Sequence, residues 1–106
     1  AMTATAFGVF VVNNRESDRF ELWERAPEGN RMVSFLDYES QENRFVIPWV
    51  ETDPVRRGEG FADLLIAEVL NQIDRENSLV VPLCPFAAKH IADRPERHHL
   101  LAPVED

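Results

Sequence analysis

Apolar and polar residues alternate along the first half of the chain, and this period of two predicts β-strands. Clusters of Asn, Asp, Gly and Pro separate the alternating runs by about four to six residues, the usual length of short connections. Because connections this short join antiparallel strands, the pattern predicts an antiparallel meander. The predicted strands cover residues 9–13, 20–25, 32–38 and 45–52.

One proline interrupts the last of these strands. Pro48 has no N–H group, so it cannot donate a hydrogen bond to a sheet ladder. We therefore expect the strand to be bulged, or to run along an edge, at this position.

The second half of the chain changes to a helical period. Apolar residues recur at intervals of three and four, which predicts one long helix over about residues 60–76, ended by Asn77 in the left-handed conformation. A buried strand over 79–83 and a short helix over 86–92 follow, and the tail from Arg97 is expected to be loose. The order of strand, long helix and strand favours a parallel pair of strands. The apolar helix positions are Ala62, Leu65, Ile66, Val69, Leu70 and Ile73.

The length and composition fit one domain, over residues 2–106, of the α/β (or α+β) class. With 106 residues and 44% hydrophobic content, the chain can bury a core, and a single cysteine cannot form an intramolecular disulfide. The apolar runs are shorter than the ~20 residues of a membrane span. These features predict a cytoplasmic protein with a reduced thiol and no membrane association.

The formal net charge of −8 argues against nucleic acid and anionic membranes as partners, because both require a positive surface. A negative surface favours solubility and is compatible with a cationic substrate.

The segment over residues 56–62 joins a predicted strand to the long helix. Its two glycines allow a tight turn, and the N–H groups at the start of a helix are unpaired and point outward. With the charges of Arg56 and Arg57, these groups predict a phosphate or pyrophosphate cradle. An ordinary solvated loop is the alternative. No Gly-Lys-Ser/Thr follows, and the glycine spacing differs from that of dinucleotide-binding turns.

Two motifs in the sequence resemble a known family. Arg57-Gly58-Glu59-Gly60-Phe61-Ala62 resembles the pyrophosphate loop with which the GNAT superfamily of N-acetyltransferases binds acetyl-coenzyme A (acetyl-CoA). The segment Pro82-Leu83-Cys84-Pro85-Phe86 resembles the hallmark of a short, single-domain GNAT-like family. The resemblance covers about residues 20–100 and implies a truncated GNAT-like acyl-CoA N-acyltransferase fold.

The resemblance also implies where the donor, acetyl-CoA, binds. The strands before and after the long helix would run parallel and then separate, and the pantetheine arm would lie in the gap. The implied donor-binding residues are Val50, Thr52, Arg56, Arg57, Gly58, Glu59, Gly60, Phe61, Ala62, Pro85 and Phe86. The thioester would lie near Cys84.

An amine would attack the acetyl carbon directly, while the enzyme positions both reactants. Glu51 aligns with a recurrent family glutamate and is the candidate general base. Cys84 is a candidate nucleophile, a small group lining the pocket or a core residue. His90 stands where the family often has Tyr, and it could protonate the leaving thiolate. Trp49 stands where the family often has His, which removes one possible base.

The helices that usually lie between the first strands of the GNAT fold are missing from the predicted pattern. An open acceptor site follows, which suits a protein lysine, a protein N-terminus or a small amine, or else low intrinsic activity. A non-catalytic module that binds CoA or acyl-CoA and an interaction domain without a cofactor remain as alternatives. No spacing of His or Cys fits a metal site, and His98 and His99 are expected in the loose tail.

Overall fold

Six strands form one mixed sheet in which the spatial order follows the chain order. In this computed structural model, residues 2–4 and 8–103 are described. The first five strands pair antiparallel with their neighbours, and the last pair is parallel. The strands are β1 Met2–Ala4, β2 Val9–Asn14, β3 Arg19–Glu24, β4 Arg31–Gln41, β5 Arg44–Thr52 and β6 Leu79–Pro82. The predicted meander and the predicted parallel pair are confirmed.

Two α-helices follow the meander. The long helix α1 covers Phe61–Arg75, and the short helix α2 covers Pro85–Ala92. Asn77 has a φ of 56°, so the predicted left-handed residue after α1 is confirmed. Short 3-10 helices cover Pro54–Arg56 and Pro95–Leu100. Neither α-helix of the described residues has the length and apolar character needed to span a bilayer.

The apolar stripe of α1 packs against one face of the sheet. Its buried residues are Leu65, Ile66, Val69, Leu70 and Ile73, as the helical period predicts. They meet a layer of inward-facing side chains from the central strands, which includes Leu22, Leu36 and Ile47. This packing holds the first turn of α1 beside the end of β5.

A bulge at Pro48 opens the sheet next to that helix end. Asp37 pairs with Trp49 and Glu39 pairs with Val46, so two residues of β5, Ile47 and Pro48, stand opposite one residue of β4. The parallel ladder between β5 and β6 ends at Ile47–Pro82. Beyond this point β5 has no strand neighbour on that side among the described residues, and the predicted bulge is confirmed.

The expectation of a loose tail from Arg97 is wrong over the described residues. Leu100 is 1% exposed and belongs to the core, and Leu101 forms a parallel bridge with Val80 of β6. The Arg97 guanidinium donates to the Asn71 carboxamide on α1 at 2.6 Å. The tail is ordered because its apolar residue finds a place in the core and its backbone pairs with the free edge of β6. Residues 104–106 lie outside the described part.

Candidate functional site

A pocket of about 560 Å³ lies between the second half of β5, the loop that follows it and the first turn of α1. The predicted site residues that line it are Val50, Glu51, Thr52, Arg56, Arg57, Gly58, Gly60, Phe61, Ala62 and Phe86. Trp49 and Asp63 line it as well. Four predicted residues do not belong to this lining: Glu59, Cys84, Pro85 and His90.

One wall of the pocket is the open edge of β5. The N–H of Asp53 donates to the carbonyl of Val33 on β4 at 2.9 Å. The direction of the backbone N–H and C=O groups alternates along an antiparallel strand. The backbone groups of Glu51 therefore also point toward β4, and those of Val50 and Thr52 point toward the other edge. The ladder with β6 has ended by this point. The backbone N–H and C=O groups of Val50 and Thr52 are therefore available to an extended ligand.

The opposite wall is formed by the start of α1 and by the loop over residues 57–60, here called the glycine loop. Gly58 and Gly60 have φ values of 86° and 83°, which glycine adopts without strain. Within the described chain, the N–H groups of residues 58–63 have no acceptor, and Leu64 makes the first bond into the helix, to the Gly60 carbonyl at 3.1 Å. These free N–H groups and the positive end of the helix dipole favour an anion.

The two arginines before the loop have different environments. Arg56 donates two bonds to Glu24 on β3, at 2.9 and 2.8 Å, and two to Glu59, at 2.8 and 3.3 Å. The Arg57 side chain is exposed, and it has no hydrogen bond or ion pair with any residue of the described ranges. Both arginines count as unpaired charges in the sequence-based prediction. In the structure Arg56 is paired with carboxylates, and Arg57 is unpaired among the described residues.

The ion pair between Arg56 and Glu24 is firmly ionised. Hydrogen bonds from Arg56, with a smaller effect of Arg31, lower the pKa of Glu24 from 4.5 to about 2. The same bonds raise the pKa of Arg56 above its usual range. Because the folded-state pKa of Glu24 is depressed, the pair contributes fully above about pH 4.5 and is lost as the pH falls through about 2.

Glu51 lies on the pocket rim with its side chain exposed. Its neighbour Val50 packs toward the core, so alternation directs Glu51 and Trp49 to the opposite face of the sheet. The Ser34 hydroxyl donates to the Glu51 carbonyl at 2.8 Å and holds the backbone of this segment. The carboxylate stands at the pocket without a hydrogen-bond partner among residues 8–103.

Cys84 lies behind the pocket rather than on its surface. It is 6% exposed and precedes the first residue of α2. Its N–H and that of Leu83 both donate to the Ile47 carbonyl at 3.0 Å, where β5 and β6 begin to separate. Pro85 is exposed outside the lining, and Phe86, 43% exposed, covers the pocket at this end.

His90 is also buried, at 4% exposure, and reaches the pocket only through a neighbour. Its Nδ1 lies 2.8 Å from Oδ1 of Asp63, which lines the pocket from the first turn of α1. Its Nε2 is buried and has no partner among the described residues. The imidazole therefore orients Asp63 and joins α2 to α1.

Sequence reasoning did not identify Trp49 and Asp63 as pocket-lining residues. Trp49 is 52% exposed on β5, two positions before Glu51, and period-two alternation could have placed both side chains together. Asp63 is the acidic residue in the first turn of α1, and it directly follows the segment over residues 56–62 where a ligand was expected. Its bond to His90 joins residues 27 positions apart and leaves no local signal.

Comparison with known proteins identifies the fold and the family of the chain. A crystal structure of an acetyltransferase from Trypanosoma brucei matches with a TM-score of 0.52 at 18% sequence identity, over 87% of this chain and 68% of that one. This likeness shows the fold, and it confirms the predicted truncated GNAT-like architecture. No curated protein matches the sequence. The family model of the GCN5-related N-acetyltransferases matches residues 19–100. Since the match covers most of the chain, the protein belongs to the GCN5-related N-acetyltransferase family and is an N-acetyltransferase domain.

Proposed function

We propose that this protein transfers an acetyl group from acetyl-CoA to an amine, by direct attack in a ternary complex. One observation carries the proposal: a single pocket joins the open edge of β5 to a glycine loop with free N–H groups. The first wall suits the amides of an extended pantetheine arm, and the second suits a pyrophosphate.

The donor would lie along the pocket with its two ends held differently. Backbone groups of Val50 and Thr52 pair with the pantetheine amides, as a further strand would. The N–H groups of residues 58–63 and the Arg57 guanidinium bind the pyrophosphate. Phe86 covers the end of the pocket near the separation of β5 and β6. The thioester would then lie near the bulge, where the Cys84 N–H donates to the Ile47 carbonyl.

The reaction forms a C–N bond and breaks a C–S bond. The amine nitrogen attacks the acetyl carbon, the thiolate of CoA leaves, and the amine gives up a proton. Glu51 accepts that proton, directly or through a water molecule. The Val50 N–H at the opened strand edge stabilises the developing oxyanion, and the remaining backbone groups of Val50 and Thr52 serve the pantetheine amides. Most of the rate enhancement comes from holding the two reactants together.

The acceptor would approach from the side of the sheet that carries Trp49 and Glu51. The described helices α1 and α2 bury their apolar residues on the opposite face, and residues 8–53 contribute only strands and connections, so no described helix covers this face. An amine on a protein surface, a lysine or an N-terminus, can reach such an open site, and so can a small amine. The exposed carboxylate of Glu51 and the net charge of −8 favour a cationic acceptor.

Replacing Cys84 separates direct transfer from a route through an acetylated cysteine. We expect Cys84→Ala to retain turnover close to that of the parent, because the thiol is buried and off the pocket lining. The measurements are kcat and the intact mass of the protein after incubation with acetyl-CoA without amine. A mass gain of one acetyl group that Cys84→Ala abolishes together with turnover would establish the covalent route instead. Thermal denaturation of the variant checks that it is folded.

Titration calorimetry with acetyl-CoA, and with CoA for comparison, tests the donor site. We expect micromolar binding, about −8 kcal/mol. A coupled thiol-release assay with lysine peptides, peptides with free N-termini and polyamines then tests turnover. Binding without turnover on any of these amines would favour a non-catalytic CoA-binding module. No binding of either donor would favour an interaction domain.

A further inference from the structure

The Arg56 guanidinium is held by carboxylates from two distant parts of the chain. Nη1 and Nη2 donate to the two carboxylate oxygens of Glu24, which stands 32 residues earlier, at 2.9 and 2.8 Å. Nε donates to Glu59 at 2.8 Å. Two parallel N–H···O bonds are the fork geometry in which arginine binds a carboxylate most strongly. The side chain therefore has one well-defined orientation.

This side chain connects both ends of the glycine loop to the sheet. Arg56 directly precedes the loop, and Glu24 is the last residue of β3, where Arg31 of β4 also bonds to it at 3.2 Å. The Arg56 guanidinium lies 5.0 Å from the ring centroid of Phe61, the first residue of α1 after the loop. Glycine has the largest conformational freedom of any residue, so a loop with Gly58 and Gly60 needs such an anchor to keep one shape.

The bonds of Arg56 to Glu24 and Glu59 also determine which charges remain unpaired near the loop. Glu59 lies between the two glycines, where a free carboxylate would repel a phosphate. Its side chain is instead turned onto Arg56 and stays out of the pocket lining. Arg56 is in turn neutralised by Glu24 and Glu59. Arg57 and the backbone N–H groups are left as the source of attraction for an anion.

We propose that Arg56 is a positioning residue of the donor site: anchored to Glu24, it holds the loop over residues 57–60 in its phosphate-binding shape and withdraws the Glu59 carboxylate. Arg56 then acts through the loop, and Arg57 is the side chain that binds the phosphate. This inference rests on the proposed donor site.

The substitution Glu24→Gln distinguishes this role from direct phosphate binding by Arg56, because the two predict opposite signs. A phosphate-binding Arg56 would be freed when Glu24 is neutralised, and acetyl-CoA would bind more tightly. A positioning Arg56 would lose its anchor. We expect Glu24→Gln and Arg56→Gln each to raise the Kd of acetyl-CoA about tenfold, within the range of interaction energies between contacting residues. The KM for acetyl-CoA rises with it, and kcat at saturating donor stays close to the parent value.

Combined variants test whether the two residues act as a unit. We expect Glu24→Gln/Arg56→Gln to bind no more weakly than Arg56→Gln alone. In Glu24→Gln/Arg57→Gln the Kd of acetyl-CoA should rise by the product of the two single fold-changes, because Arg57 acts separately. Arg31→Gln is the matched control, because it also bonds to Glu24 but does not adjoin the loop. Unchanged or tighter donor binding in Glu24→Gln overturns the proposal.

Backbone order parameters of residues 57–61, from nitrogen relaxation of the free protein, give a readout that needs no ligand. We expect them to fall in Glu24→Gln and in Arg56→Gln and to stay unchanged in Arg31→Gln. Unchanged order in the first two variants overturns the anchoring. If the parent protein does not bind acetyl-CoA, the proposed function fails, while the order parameters still decide whether Arg56 anchors the loop.

Discussion

Gly60→Asp is expected to weaken acetyl-CoA binding by this protein more than any other single substitution considered. Gly60 has a φ of 83° and directly precedes α1, so the new side chain is strained and sits among the free N–H groups. A carboxylate about 5 Å from a phosphate charge costs about 3 kcal/mol at an effective dielectric constant of about 20. That corresponds to a loss of affinity of about 100-fold or more, measured by titration calorimetry.

Gly8→Asp is the matched control for backbone strain. Gly8 has a φ of 75°, open space around its Cα and no place in the pocket lining. Both variants should lose a similar amount of thermal stability, and only Gly60→Asp should lose the donor. Equal affinity in the two variants would show that the loop does not bind the phosphates, and the proposed donor site would be wrong.

The elements that the sequence predicts well are those whose signal is local. The apolar stripe from Leu65 to Ile73 specifies α1, because helical spacing alone decides which side is buried. The missing N–H of Pro48 specifies the bulge, since no neighbour can restore that donor. These two features already place the helix start beside an opened strand. The general position of the pocket therefore follows from the sequence.

Features that depend on a distant partner could not be predicted in this way. Nothing near Arg56 in the sequence indicates that Glu24 neutralises it, because the partner belongs to another strand. The order of the tail likewise depends on a place for Leu100 in a core formed by other elements. Periodicity shows that a residue is apolar or charged, and the tertiary fold decides what it contacts.

The same distinction applies to the candidate catalytic side chains. Glu51 follows strand alternation to an exposed position at the pocket, where a base can meet an acceptor. Cys84 and His90 are predicted at the site from the sequence, but the packing of α2 against the core buries both side chains. Cys84 meets the end of β5 through its backbone, and His90 meets Asp63 through its ring. Of the three predicted catalytic residues, Glu51 is the one that belongs to the described pocket lining.

Glu51→Gln should lower kcat by about 100-fold or more, within the usual contribution of a general base. The amide has nearly the shape of the carboxylate, but it cannot take the proton from the attacking amine. In the proposed donor site, backbone groups of the neighbouring residues Val50 and Thr52 hold the donor, so we expect the Kd of acetyl-CoA not to change. Steady-state kinetics at saturating donor and titration calorimetry measure the two quantities separately.

Glu39→Gln makes the same change of charge at an exposed position of β4 outside the pocket lining, and it should leave both quantities unaltered. A comparable loss of kcat in both variants would mean that the negative surface attracts a cationic acceptor and that Glu51 has no particular part in proton transfer. An unchanged kcat in Glu51→Gln would mean that solvent, and not Glu51, removes the proton from the amine. In that case catalysis would rest on positioning the two reactants, which is the component that the open strand edge and the glycine loop supply.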